Sequence, residues 1–295
     1  MDHTTPAVAT PTLPQRARFT GLRRFAGNHL ALLGAAIIVL LILLALLAPW
    51  LATHDPIFDQ DYSNLLATPS AQHWLGTDDL GRDIYSRMLF GARISLEAAL
   101  IAVGLAFCLG VPIGIASGYF GGLWDEWVVM RVVDALQAFP SLILALALAA
   151  ALGGGFINAM VAVGIGFTPA FIRLARGQAM SIRNLEYVMA ARAVGAGPIR
   201  IMWRYILPNA MAPLVIQATF AMGSAIIAEA GLSYLGLGAR AEDPSWGSML
   251  HIAQAYLNTN PTLALWPGVA IFLVVLGFNL LGDGVREVFD PKLHR

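Results

Sequence analysis

Lysine is nearly missing from this chain. Of 295 residues, 18 are lysine or arginine, and Lys292 is the single lysine. A phosphate-cradling loop of the form G-x-x-x-x-G-K-[ST] needs a lysine that reaches the terminal phosphates. This chain therefore carries no such loop, and any ATP-derived energy must come through another polypeptide. Cysteine is equally scarce: Cys108 stands alone inside an apolar run. That excludes an intrachain disulfide and a thiolate metal centre, and the residue reads as a packed thiol. Charge of either sign is thin, at 12% against about 25% in a soluble domain. The six histidines, His3, His29, His54, His73, His251 and His294, form no H-x-x-x-H or H-E-x-x-H pair and read as isolated side chains. No Ser-His-Asp or Cys-His set is visible, so no catalytic, cofactor-binding or metal-ligating residue is expected, and a membrane enzyme is disfavoured. The glycines of "LGGGF" follow no strand and read as a turn. No internal repeat is visible, which argues against an inverted-repeat secondary transporter.

What is abundant is apolar sequence: 58% of residues are hydrophobic, and the mean hydropathy is +0.69. The expected fold is an all-α integral membrane protein. Leu30–Leu51 is uncharged over more than the ~20 residues a span requires, so it reads as a retained first helix rather than a signal segment. Five further runs follow: Ala98–Ala116, Ala135–Leu152 interrupted by Pro140, Phe156–Ile172, Ala212–Leu237 and Thr262–Leu281.

Six spans put both termini on one side. With both inside, fourteen of the 18 basic residues are cytoplasmic and four (Arg82, Arg87, Arg93 and Arg240) are outside. The positive-inside rule favours this N-in, C-in arrangement. The expected organisation is a cytoplasmic tail 1–28, a first helix 29–52, an outer segment 53–92, a transmembrane core 93–290 and a cytoplasmic end 291–295. Within the core lie a cytoplasmic loop 173–211 and an outer loop 238–261. In the outer parts, Asp78 and Asp79 read as acidic caps of a helix N-terminus. Leu250–Leu257 reads as a short helix after a Pro-Ser-Trp turn.

The loop holds "EYVMAARAVGAGPIRIMWRYILPN", Glu186 to Asn209. Ser181 is positioned to cap a helix that runs to about Val194, where Gly195-Ala196-Gly197-Pro198 ends it. A second helical piece continues from Ile199, and Pro208 marks a further break. Ala190, Ala191 and Ala193 give a surface that another backbone can approach closely, with Glu186 and Arg192 beside it. A helix that docks on a partner protein fits these residues. A basic helix lying on anionic lipid is the alternative.

The stretch resembles the cytoplasmic loop of bacterial ABC-importer permeases, whose pattern is Glu-Ala-Ala, three residues, Gly, nine residues, Ile, one residue, Leu-Pro. Ala190, Ala191, Gly195, Leu207 and Pro208 match it; Met189 stands in the place of the Glu and Tyr205 in that of the Ile. "LRRFAGNHLALLGAAIIVLLILLALLAP", "LGTDDLGRDIYSRMLFGARISL", "AEAGLSYLGLG", "DPSWGSML" and "NLLGDGVREVFDPK" are similar to segments of the C-type subunit of dipeptide/oligopeptide (peptide/nickel) permeases. The resemblance implies a type I ABC importer fold with a coupling helix. It also implies a second, unlike permease, two ABC ATPase subunits that bind ATP and Mg, an extracytoplasmic solute-binding protein and a peptide substrate. Location in the bacterial inner membrane follows, with no nucleic-acid partner. Nickel, glutathione or another small solute is the alternative cargo, and an ion-coupled transporter or channel the alternative class.

Two further groups of charges stand out. Glu229 is the only ionisable residue between Arg204 and Arg240. Carboxylates inside spans face bundle interiors or wet cavities, so it is expected either on the translocation path or in an interhelical hydrogen bond. Asp283, Arg286, Glu287 and Asp290 follow the last span and read as a cytoplasmic cap or subunit contact.

Overall fold

The computed structural model describes residues 25 and 27–289. Residues 1–24 and 26 of the expected tail 1–28, Asp290, and the end 291–295 with Lys292 and His294 lie outside the described residues. All regular structure within them is helical apart from an isolated bridge between Thr77 and Asp83. Five helices are long and apolar enough to cross a membrane: α1 (His29–Leu51), α2 (Ile84–Phe120), α5 (Phe156–Ile182), α7 (Pro198–Tyr234) and α9 (Thr262–Phe289). A bent pair, α3 (Gly122–Gln137) and α4 (Ser141–Ala151), counts as a sixth span if taken together. Two short helices complete the fold: α6 (Glu186–Ala193) and α8 (Trp246–Gln254).

The bundle is held by small residues rather than by bulk. Lipid tails are as apolar as leucine, so helices in a bilayer gain by close backbone approach. On α2, Gly110, Gly114 and Gly118 recur every four residues and lie against α5. A Cβ added at Gly114 would sit 2.4 Å from the Ile172 carbonyl oxygen, and one at Gly118 would sit 2.4 Å from that of Arg176. α1 uses the same device on α9: Gly34 abuts Leu281 and Gly277. Its buried residues, Ala31, Gly34, Ile38, Leu41, Ala45 and Ala48, alternate steps of three and four, the spacing of a packed helical seam. The remaining faces of α1 are exposed leucines and valines suited to lipid.

Several boundaries differ from the sequence expectation. α2 begins fourteen residues before Ala98, because Asp83 caps it: the Ser86 N–H donates to Asp83 Oδ2 at 2.8 Å. Asp78 instead closes the preceding turn, accepting from the N–H groups of Leu80 and Arg82 at 3.0 Å. α5 continues through Ile182, so Ser181 lies inside it and caps nothing; α6 starts after Leu185 without a side-chain cap. Pro140 does break the third run, with a bend of 96°. Pro208 does not break α7. Residues Met202–Ile206 form a π-helical segment just before the proline, with the Leu207 N–H donating to the Met202 carbonyl, and the helix continues through Pro208. The short outer helix is Trp246–Gln254, earlier than expected, because Ser245 caps it by accepting from the Ser248 N–H at 3.0 Å. Cys108 lies on the exposed side of α2 instead of in the packed interior.

The chain has two ends. The connection 52–83 and the α7–α8–α9 loops gather at the N-terminal end of α2. α6 lies at the C-terminal end of α2, thirty-odd residues away along one helix.

Candidate functional site

α6 is fixed at its base and open at its face. Val188 is completely buried, as are Ile201 and Ile206 at the start of α7. Arg183, at the end of α5, donates from Nη1 to the carbonyl oxygens of Gly118 (2.8 Å) and Tyr119 (3.1 Å). Those carbonyls belong to the last turn of α2 and have no helical partner of their own, so the arginine ties the end of α2 to the root of α6. Just before Arg183, the guanidinium of Arg176 grips Asp125 at 2.8 and 3.0 Å, and Ser117 also donates to that carboxylate.

The outward face of α6 carries Glu186, Tyr187, Met189, Ala190 and Ala193. Val194 is 87% exposed and Ile199 70%. Ala191 is half-buried. Gly195 has φ +89° and nothing within 4 Å of a built Cβ. It closes the helix by a left-handed turn, with its N–H donating to Arg192 and that of Ala196 to Ala191. Arg192 is not a free rim charge: its guanidinium lies over the Tyr119 ring, 5.5 Å from the centroid. Leu207 and Pro208 sit apart from α6, on the root of α7. Leu207 is half-buried and lines a cavity of about 220 Å³ with Val111, Ile115, Met202 and Trp203.

A cleft of about 440 Å³ opens where the α3–α4 bend meets α5 and α7. Its walls carry Gln137, Ser141, Gln217 and Ser224 beside Phe167 and Phe220, with no formal charge among the lining side chains. Sequence reasoning missed these residues because it searched for charges. The available signal was two glutamines in otherwise apolar runs.

At the other end, Glu229 is fully enclosed. The Ser233 hydroxyl donates to its Oε1 at 2.7 Å, and the Ala239 N–H donates to Ser233 Oγ at 2.9 Å. The carboxyl thus ties the end of α7 to the loop that follows. Arg87 binds the same loop and the α1–α2 connection: its guanidinium donates to the carbonyl oxygens of Glu242 (3.2 Å) and Ala241 (3.3 Å) in the first and of Pro56 (2.9 Å) in the second. The Trp246 indole N–H donates to the Met88 carbonyl at 3.1 Å. Glu287 accepts from the Asn28 side chain, which joins the end of α9 to the start of α1. His54 and His73, expected to be isolated, meet at Asp83, with ring centroids 4.8 Å apart.

Residues 110–295 match the family described as binding-protein-dependent transport system inner membrane component, and residues 20–69 match the N-terminal transmembrane domain of oligopeptide transport permease C. The chain is a permease of the ABC importer family. It is 44% identical over 284 residues to the dipeptide transport system permease protein DppC of Alkalihalophilus pseudofirmus, covering 96% of this chain and 92% of that one. It is 45% identical over 271 residues to the glutathione transport system permease protein GsiD of an Escherichia coli strain, covering 92% and 89%. A solved inward-facing structure of the MetNI methionine ABC transporter shares the fold, with a TM-score of 0.58 at 22% identity over 70% of this chain and 98% of that one. The permease is therefore a multi-pass inner-membrane subunit of the type I importer fold and of the dipeptide-transporter family.

Proposed function

We propose that this permease forms, with a second and unlike permease, the membrane path for di- and oligopeptides delivered by an extracytoplasmic binding protein. Two ATPase subunits bind ATP and Mg and perform the hydrolysis, and this chain contributes no catalytic group. The observation that carries the coupling assignment is α6: rooted by Val188 and Arg183, yet open along Met189, Ala190 and the adjoining Val194 at the C-terminal end of α2. An ATPase groove is the proposed occupant. Glu186, Met189, Ala190, Ala191 and Gly195 form the contact. Arg192 holds the helix to Tyr119, and Leu207 and Pro208 pass its movement to α7. Both termini are assigned to the cytoplasmic side, on the fourteen-to-four distribution of basic residues.

The uncharged cleft at the α3–α4 bend is this subunit's proposed wall of the path. Amides and hydroxyls can exchange hydrogen bonds with a peptide backbone without selecting side-chain charge. Glu229 joins the path only in a state that opens the Ser233 contact. Unchanged uptake of cationic and neutral peptides by a folded Glu229→Gln variant would remove it.

The deciding experiment for coupling is Gly195→Trp in the assembled importer. The indole at a left-handed position on the docking face should abolish ATPase co-purification and uptake while membrane insertion persists. Intact co-purification would refute the docking assignment. The similarity to a glutathione permease supports a second reading of the cargo, a γ-linked tripeptide. Competition by glutathione against dipeptides at the cognate binding protein separates the two.

A further inference from the structure

We propose that His54, His73 and Asp83 form a binding site for a borderline-soft divalent cation, with Zn²⁺ as the reference ion. His54 lies three residues beyond α1, His73 lies in the α1–α2 connection, and Asp83 is the N-cap of α2. One ligand atom from each lies within 4.8 Å of the others. His73 Nδ1 is 3.1 Å from Asp83 Oδ1, and His54 Nδ1 is 3.9 Å from Asp83 Oδ2. A tetrahedral ion with bonds of about 2.0–2.1 Å separates its ligand atoms by roughly 3.3 Å. The His73–Asp83 pair already has that spacing. His54, with 29% of its side chain exposed, needs only a small movement and leaves the ion a way in.

An ordinary hydrogen-bonded pair accounts for less of this geometry. Asp83 Oδ2 is already occupied by the Ser86 N–H and hydroxyl (2.8 Å each) and by the Thr53 hydroxyl at 3.3 Å. Oδ1 needs one donor, and His73 supplies it. The second imidazole is then unnecessary, yet it lies 4.8 Å from the first, centroid to centroid, with Nδ1 turned to the same carboxylate. His54 Nδ1 also lies 3.0 Å from Thr53 Oγ1, a contact that the ion displaces as the Nδ1 proton leaves. Two imidazoles converging on one buried carboxylate are the donor set of zinc, nickel or copper rather than of calcium or magnesium. The positive N-terminus of α2 opposes a cation. The Asp83 carboxylate, buried at that terminus, offsets it. A water completes the coordination. Bound there, the ion fastens the end of α1 to the start of α2, at the end of the bundle opposite α6.

The test uses the full chain in lipid nanodiscs with its affinity tag removed. Equilibrium dialysis against low-micromolar Zn²⁺ with elemental analysis should find a single tightly held equivalent, and Co²⁺ in its place should give tetrahedral absorption bands. His54→Ala, and His73→Gln, which keeps a donor to Asp83, should each abolish both signals without lowering Tm in the absence of metal. His251→Ala should change neither. Zinc retained at wild-type affinity in His54→Ala, no zinc bound by the wild type, or zinc lost in His251→Ala would each overturn the assignment.

Discussion

Asp79 is a residue that the fold holds at a cost. Burial pushes its carboxyl above the ordinary value of 3.8, and the neighbouring Asp78 charge adds to this, while Arg82 acts against it. Arg82 lies 3.6 Å from Asp79 Oδ1, too far for a hydrogen bond, and that oxygen has no partner. A carboxyl with a raised folded-state value binds its proton more tightly when folded. Its contribution to stability is complete below the unfolded value and is lost as the pH rises through the folded one. Asp79→Asn should therefore raise Tm near neutral pH, and the gain should fade as the pH drops toward the ordinary carboxyl value. An equal gain at every pH would refute the assignment. Arg87 is the opposite case. Arg87→Met would leave the Pro56, Ala241 and Glu242 carbonyls without their donor and Asp78 with one partner fewer. A loss on the order of 3–5 kcal/mol is expected, read as a lower Tm with faster proteolysis of the loop between α7 and α8.

At the scale of elements, the α2–α5 seam is the sharpest constraint. A Cβ at Gly114 meets backbone, which cannot yield as a side-chain tip can. Gly114→Val should cost about 1–3 kcal/mol or force the helices apart, seen as lost membrane-embedded protein and lower Tm. Gly104→Ala, whose Cβ meets nothing within 4 Å, should be tolerated. The same elements show what the sequence made legible. Apolar runs located the spans, and Gly195 located the end of α6, because length and left-handed turns are local properties. The start of α2 was hidden because Asp83, not the more conspicuous Asp78–Asp79 pair, faces the first free N–H groups. Pro208 misled because a proline suggests a break, whereas the helix here runs on through it from the π segment upstream. The cleft at the α3–α4 bend and the His54–His73 meeting were not legible at all, since each joins residues brought together only by tertiary packing.

At the scale of the whole molecule, the prediction concerns energy. The chain alone in proteoliposomes should accumulate no peptide, with or without ATP, whereas the assembly with its ATPases, sister permease and binding protein should. Concentrative uptake by the isolated chain would refute the division of labour. The π segment has a mechanical meaning here. Because it carries the helix past Pro208, α7 runs unbroken for 37 residues, from beside α6 to the Glu229–Ser233 tie. At ~1.5 Å per residue it is a strut of about 55 Å, and a tilt of roughly 5° displaces one end by ~5 Å relative to the other. A hinge at Pro208 would dissipate that leverage near α6. A continuous strut delivers it to the far mouth, so changes that soften residues 202–206 should slow the opening of a loop they never touch.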